Sequence, residues 1–154
     1  MVVKKVFVLA GEASGDVLGA EFLRALRAAD PLVSITYTGG PAMREVLQGQ
    51  VPWVPMEQMA FMGFVEVLRH LPQIWRNDQT IKRALLDDRP DLIVLIDYPG
   101  YGLRLAKWLN AQGFRSEGRR IVQLVSPQFW AWKPGRLATL KACFDAVYPL
   151  LPFE

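Results

Sequence analysis

A doubly wound α/β domain built on a parallel sheet is the fold this sequence predicts, and three observations carry it. Apolar runs of strand length alternate along the chain with stretches of helical period. Leu92–Ile96 is a run of five apolar, mostly β-branched residues with no polar alternation, as in a parallel strand buried on both faces. Strands that alternate with helices of ordinary length call for right-handed crossovers on one sheet. The chain has 154 residues, 51% of them hydrophobic and 21% charged, which is enough to fill one core, so a single domain over residues 1–154 is expected.

In order, residues 2–10 read as a buried strand. Residues 16–29 read as a helix, with Val17, Ala20, Leu23, Ala25 and Leu26 near one face and Asp30-Pro31 ending it. Residues 33–38 form a second strand closed by Gly39-Gly40-Pro41, and residues 42–48 a short helix. Residues 51–54 are expected as a short, proline-bounded peripheral strand. Helical spacing then runs over residues 63–86, with a break expected near Leu71-Pro72, because proline lacks a backbone donor and disfavours helix in the residue before it. After Leu92–Ile96 come a helix over 101–112 ending at Gly113, a strand over 121–125, a helix over 134–143 and a last strand over 146–150.

Composition excludes several classes. One cysteine, Cys143, forbids an internal disulfide framework, and one histidine, His70, leaves too few ligands for a Cys/His zinc site. The amino end shows no signal-peptide pattern, and no apolar run approaches the roughly 18 to 20 residues of a spanning helix. A soluble or surface-bound cytoplasmic protein is expected. Residues 1–100 hold ten Lys/Arg against twelve Asp/Glu, whereas residues 101–154 hold eight against three. That asymmetry fits an anionic partner on the second half, such as a phosphorylated small molecule or an acidic membrane surface. Nucleic acid is not expected, since no basic run is interleaved with stacking aromatics.

In a doubly wound sheet, ligands bind beyond the carboxyl ends of the strands, so chemistry is sought in the turns that leave them. The first is Gly11-Glu12-Ala13-Ser14-Gly15-Asp16, where glycines admit a close ligand and helix-start amides favour a negative or hydroxyl-rich group. Its glycines, spaced by four, match neither a dinucleotide fingerprint nor a P-loop. Ser14 or Asp16 as a helix cap is the structural alternative. Glu12 falls too early to cap and is expected to face a ligand. Asp97 directly follows Leu92–Ile96 and lies at the mouth of the crevice, placed for general-base work or, alternatively, for capping the next helix. Asp87, Asp88 and Asp91 precede that strand, and Arg119 and Arg120 precede the next, so both sets belong at the opposite edge. A third turn carries Ser126, Gln128, Phe129, Trp130, Trp132, Lys133 and Arg136, an aromatic wall with hydrogen-bond donors. Without a G-x-S-x-G elbow, Ser126 is not a hydrolase nucleophile. Residues 59–68, apolar on nearly all sides with a basic flank, suit either core burial or contact with a bilayer interface or an acyl chain.

Taken together, six segments resemble one family. They are Ala10-Gly11-Glu12-Ala13-Ser14-Gly15-Asp16, Gly39-Gly40-Pro41-Ala42-Met43, Met62-Gly63-Phe64-Val65-Glu66-Val67-Leu68, Ile96-Asp97-Tyr98-Pro99-Gly100, Val125-Ser126-Pro127-Gln128-Phe129-Trp130-Ala131-Trp132 and Leu151-Pro152-Phe153-Glu154. In order along essentially the whole chain, they resemble the lipid-A-disaccharide synthases, inverting glycosyltransferases of two-domain GT-B architecture.

The resemblance implies a Rossmann-like amino-terminal half and transfer of 2,3-diacylglucosamine from its UDP conjugate to 2,3-diacylglucosamine 1-phosphate through a β-1,6 link. It implies no metal and no cofactor. Asp97 takes the place of the catalytic base, while Glu12, Ser14, Gly15 and Asp16, with Ser126, Gln128, Trp130, Trp132 and Lys133 opposite, take acceptor-binding places. Phe61, Met62, Phe64, Val65, Leu68 and Leu71 would meet acyl chains or the inner face of the bacterial inner membrane, making the protein peripheral there. The chain departs from the family at Tyr101-Gly102, where Phe-Asn is common. It also lacks the second domain that holds most of the nucleotide-sugar site, so it is expected to be the acceptor half and inactive alone. Another nucleotide-using Rossmann enzyme, or a non-catalytic lipid-surface module, are the alternatives.

Overall fold

The computed structural model describes residues 3–59, 64–125 and 135–149. Five strands form one all-parallel sheet: β1 (Lys5–Ala10), β2 (Ser34–Thr38), β3 (Leu92–Ile96), β4 (Arg120–Leu124) and β5 (Ala146–Tyr148), in the spatial order β2-β1-β3-β4-β5. Between them run α1 (Ala13–Ala29), α2 (Pro41–Val46), α3 (Phe64–Asp88), α4 (Pro99–Ala111) and α5 (Gly135–Cys143), with short 3-10 turns at Met56–Gln58 and Arg115–Glu117. The expected α/β doubly wound fold is what the chain adopts.

The sheet divides the core in two. Val6, Val8, Ala10, Ile35, Tyr37, Val94 and Ile96 pack with Ala20 and Leu23 of α1 and Met43 of α2. Phe7, Leu9, Ile93, Leu95 and Ile121 face the other way, against Ile81 and Leu85 of α3, Leu105 and Leu109 of α4 and Leu140 of α5. In β3, Ile93, Val94, Leu95 and Ile96 are all fully buried, which is why this strand reads as an unbroken apolar run.

Strand order reverses between β1 and β3. The chain leaves β1 toward β2 on one side and leaves β3 toward β4 on the other, so the turns after β1 and β3 diverge and open a crevice at their carboxyl ends. The opposite edge is tied by charge. Asp91 Oδ2 accepts the backbone amides of Lys4 and Lys5 at 2.8 and 2.9 Å, Lys5 pairs with Asp88 at 3.0 Å, and Glu117 pairs with both Arg89 and Arg119. Those groups serve the fold and lie away from the crevice, as their place before the strands implied.

Two expectations are corrected. Residues 51–54 are not a strand. Pro52 and Pro55 each lack an amide, so no ladder forms; the segment instead lies along the outer side of β2. It is held there by Trp53 N to Tyr37 O and Met56 N to Gly39 O, both 2.9 Å, and by Gln50 Nε2 to Ile35 O at 2.8 Å. That arrangement covers a sheet edge without extending the sheet. Nor does the helix break at Pro72: α3 runs through it from Phe64 to Asp88. Residues 69–72 are exposed, and Ile81 and Leu85 anchor the helix further along.

Candidate active site

The turn after β1 is set by contacts across the crevice. A Cβ on Gly11 would come within 2.6 Å of the Tyr98 ring, so only glycine lets the first turn and the β3 exit pack this closely. Glu12 occupies the N-cap position of α1, with extended backbone, yet no side chain caps this helix. Its carboxylate is therefore not spent on a cap, and Glu12 and Ser14 are exposed at the helix start. The capping alternative fails for this helix, although Glu12 sits at the cap position rather than before it.

Asp16 is engaged elsewhere. At 2% exposure, its Oδ1 accepts from Gly40 N at 2.9 Å and Met43 N at 3.2 Å, and its Oδ2 accepts from Ala42 N at 2.8 Å. Asp16 thus caps α2, satisfying amides that would otherwise be orphaned, and braces the first turn against the Gly39-Gly40 loop. Gly40 has no room for a side chain beside that carboxylate, since a Cβ would lie 2.7 Å from Asp16 Oδ2.

The β3 exit has unusual backbone. Asp97 and Tyr98 are consecutive residues in the left-handed region, with φ of +48° and +56°, and Val125 at the β4 exit has φ of +67°. Such conformations cost energy in residues bearing a side chain and persist where surrounding contacts hold them. The contacts are visible. Asp97 N donates to Leu124 O at 3.0 Å. The Gln123 side-chain amide, 1% exposed, reaches Asp97 O at 3.3 Å, Leu124 O at 3.2 Å and Val125 O at 3.3 Å. Gln123 therefore ties the two strained exits together.

Asp97 itself is half-buried. Tyr98 takes the N-cap position of α4, and no side chain caps that helix, so the Asp97 carboxylate is free of the capping role weighed for it. The Tyr98 hydroxyl donates to Met59 O at 3.0 Å; burial, then the charge of Glu12, push its phenol above the ordinary value. Tyr98 thereby joins the first turn, the β3 exit and the chain just before α3. Sequence reasoning missed Tyr98 and Gln123. A glutamine inside an otherwise apolar strand was the available signal for Gln123.

Of the remaining residues, Phe61, Met62, Ser126, Gln128, Trp130, Trp132 and Lys133 lie outside the described residues. Phe64, Val65 and Leu68 fall in the first turns of α3, with side chains outside the described part, and Leu71 is 49% exposed on that helix. Gly15 packs under Ile96 at the start of α1.

Comparison with known proteins decides the family. A family profile described as lipid-A-disaccharide synthetase matches residues 6–154. The chain belongs to the lipid-A-disaccharide synthase family. Curated relatives carrying that name include those of Trichlorobacter lovleyi, 44% identical over 151 residues, and Alcanivorax borkumensis, 40% identical over 149. A third, from Pseudomonas paraeruginosa, is 39% identical over 150 residues. These matches cover 97–98% of this chain and 37–38% of each relative, so the chain spans rather more than a third of a lipid-A-disaccharide synthase. The family is one of glycosyltransferases, and the range that the profile matches includes both turns that build the crevice.

Proposed function

We propose that this domain forms the acceptor side of a lipid-A-disaccharide synthase and supplies its general base. The reaction would transfer 2,3-diacylglucosamine from its UDP conjugate to the 6-hydroxyl of 2,3-diacylglucosamine 1-phosphate. One observation carries this reading: Asp97, directly after the buried run Ile93–Ile96 of the central strand, has a carboxylate spent on no cap and a backbone held in a strained turn by β4. Rigid placement of a carboxylate that no described residue engages is what a base needs.

In the proposed step, Asp97 takes the proton of the acceptor hydroxyl as its oxygen attacks the anomeric carbon. The bond from that carbon to the diphosphate oxygen breaks, and the electron pair leaves with UDP. Attack opposite the leaving group inverts the anomeric centre and yields the β link. Glu12 and Ser14 face the acceptor, Gly15 permits its approach, and Asp16 contributes by bracing the turn. Ser126, Gln128, Trp130, Trp132 and Lys133, which lie outside the described residues, are assigned to acceptor binding by the family resemblance alone. The donor site belongs to the remaining length that the relatives possess, so this domain alone carries no transfer.

Contact with acyl chains or the inner membrane surface, and with it a peripheral association, is assigned by the family resemblance to Phe61, Met62, Phe64, Val65, Leu68 and Leu71, of which Leu71 is exposed on α3. No helix among the described residues is long and apolar enough to cross a membrane. The test is transfer between the two acylated sugars by a chain of the relatives' full length. Asp97→Ala is expected to lower turnover by about two to four orders of magnitude while the protein stays folded. Appreciable turnover by the folded variant removes Asp97 as base.

A further inference from the structure

Gly100, Leu103, Arg104 and Lys107 fall on one face of α4 and line a single open cavity of about 570 Å³. Tyr98 of the strained turn and Thr139 of α5 also line it. The cavity therefore runs from the β3 exit, beside Asp97, along two turns of α4. Arg104 and Lys107 are exposed and make no ion pair among the described residues, and no described residue that lines the cavity is a carboxylate. Like charges one turn apart weaken a helix, so this pair does nothing for the fold and is placed for an anion that arrives from outside.

The geometry fixes where the charge sits. Helical side chains lean toward the amino end, so the head of Arg104 covers the turn before its own Cα. The observed contact agrees, since its guanidinium lies 5.8 Å from the centre of the Tyr101 ring, three residues earlier. Lys107 stands one turn behind. A Cβ on Gly100 would meet nothing within 4 Å, so packing does not demand glycine there, and alanine suits a helix better. The bare position leaves the cavity open toward the β3 exit. A phosphate monoester carries close to two negative charges and three acceptor oxygens, which suits one forked guanidinium and one ammonium together better than a single carboxylate does.

We propose that Arg104 and Lys107 hold the phosphate of a phosphorylated amino sugar and thereby set which end of that sugar reaches Asp97. The choice of an amino sugar as carrier rests on the acceptor-side reading, whereas the preference for a phosphate rests on the cavity. From Gly100 to Arg104 the helix rises about 6 Å, the width of one hexose ring. With its phosphate at Arg104, the ring lies over Gly100 and its opposite end, which bears the 6-hydroxyl, points to the β3 exit. A sugar without the phosphate loses orientation as well as affinity.

The test titrates a short-chain diacylglucosamine 1-phosphate, its dephosphorylated counterpart and inorganic phosphate at low ionic strength, with magnetic resonance reporting affinity. The chain is expected to bind the phosphorylated sugar roughly tenfold tighter than the dephosphorylated one, and more tightly than inorganic phosphate. Arg104→Gln should remove most of that preference and Lys107→Gln part of it, while Arg104→Lys, which cannot fork, should recover little. Lys4→Gln removes the same charge at the far edge and should change nothing. Gly100→Ala should weaken the phosphorylated sugar several-fold while unfolding at the same temperature or higher. In a full-length chain, Arg104→Gln should raise the KM for the acceptor and leave that for the UDP-sugar alone. A preference unchanged in both Gln variants overturns the phosphate contact and leaves the role of Asp97 standing. An equal loss in Lys4→Gln assigns the effect to net charge and overturns it too. Inorganic phosphate binding as tightly as the sugar phosphate overturns the assignment to the sugar, and a rise confined to the KM for the UDP-sugar moves the pair to the donor. Turnover that survives Asp97→Ala strikes the general base and not this site, so the two failures are told apart.

Discussion

At the scale of single residues, the crevice depends on side chains that act through the backbone. Gln123 holds the Asp97 and Val125 carbonyls from within the sheet, and no other described side chain bridges the two exits. Gln123→Leu keeps the volume but leaves those carbonyls unpaired. It is expected to cost about 1–3 kcal/mol in denaturant unfolding. In a full-length chain it should lower turnover by roughly tenfold or more as the base drifts from its place, with the KM for the UDP-sugar unchanged. Asp16→Ala removes the cap of α2 and should cost about 1–2 kcal/mol by the same measurement, with Asp16→Asn recovering part of it.

These two residues also mark where sequence reading stops. Asp16 was legible as a polar group in a turn, but its partners are 24 to 27 residues away, across a loop whose path no local pattern specifies. Asp97 was legible because the unbroken apolar run of Leu92–Ile96 fixes where the strand ends and hence which edge the carboxylate reaches. The left-handed turn that follows was not, since Asp97 and Tyr98 are held in it by β4 rather than by their own preferences.

At the scale of elements, period and burial located the strands and helices, while proline was read too strictly. Pro72 sits on an exposed stretch of a long helix anchored elsewhere, and so costs one hydrogen bond without ending it. Pro52 and Pro55 have the reverse effect, turning an apolar segment from strand into edge cover. The amino edge of the sheet depends on Asp91, whose two amide hydrogen bonds from Lys4 and Lys5 hold its carboxyl below the usual value. A carboxylate lowered on folding stabilises fully above its unfolded value, about 3.9, and loses that contribution as pH falls through the lowered one. Asp91→Asn should therefore lower the Tm by a few degrees at neutral pH, with the deficit shrinking toward about pH 2. A deficit independent of pH would assign the effect to packing.

At the scale of the whole molecule, the strand order brings the turns after β1 and β3 to one crevice, and the uneven charge acquires a direction. Arg115 pairs with Asp145, and Arg119 with Glu117. Arg104 and Lys107, by contrast, make no ion pair among the described residues and line a cavity of about 570 Å³ with Tyr98 and Gly100. The unspent positive charge of the second half thus stands beside the β3 exit, on the side where a phosphorylated acceptor would approach.

The most direct test of the acceptor-side account is a magnetic resonance titration of the isotope-labelled chain with a short-chain diacylglucosamine 1-phosphate. The account predicts shifted backbone amides at Gly11, Glu12, Ser14, Asp97 and Tyr98, with Lys4, Lys5 and Asp91 at the far edge unmoved. Shifts confined to the far edge, or none at saturating acceptor, would contradict it.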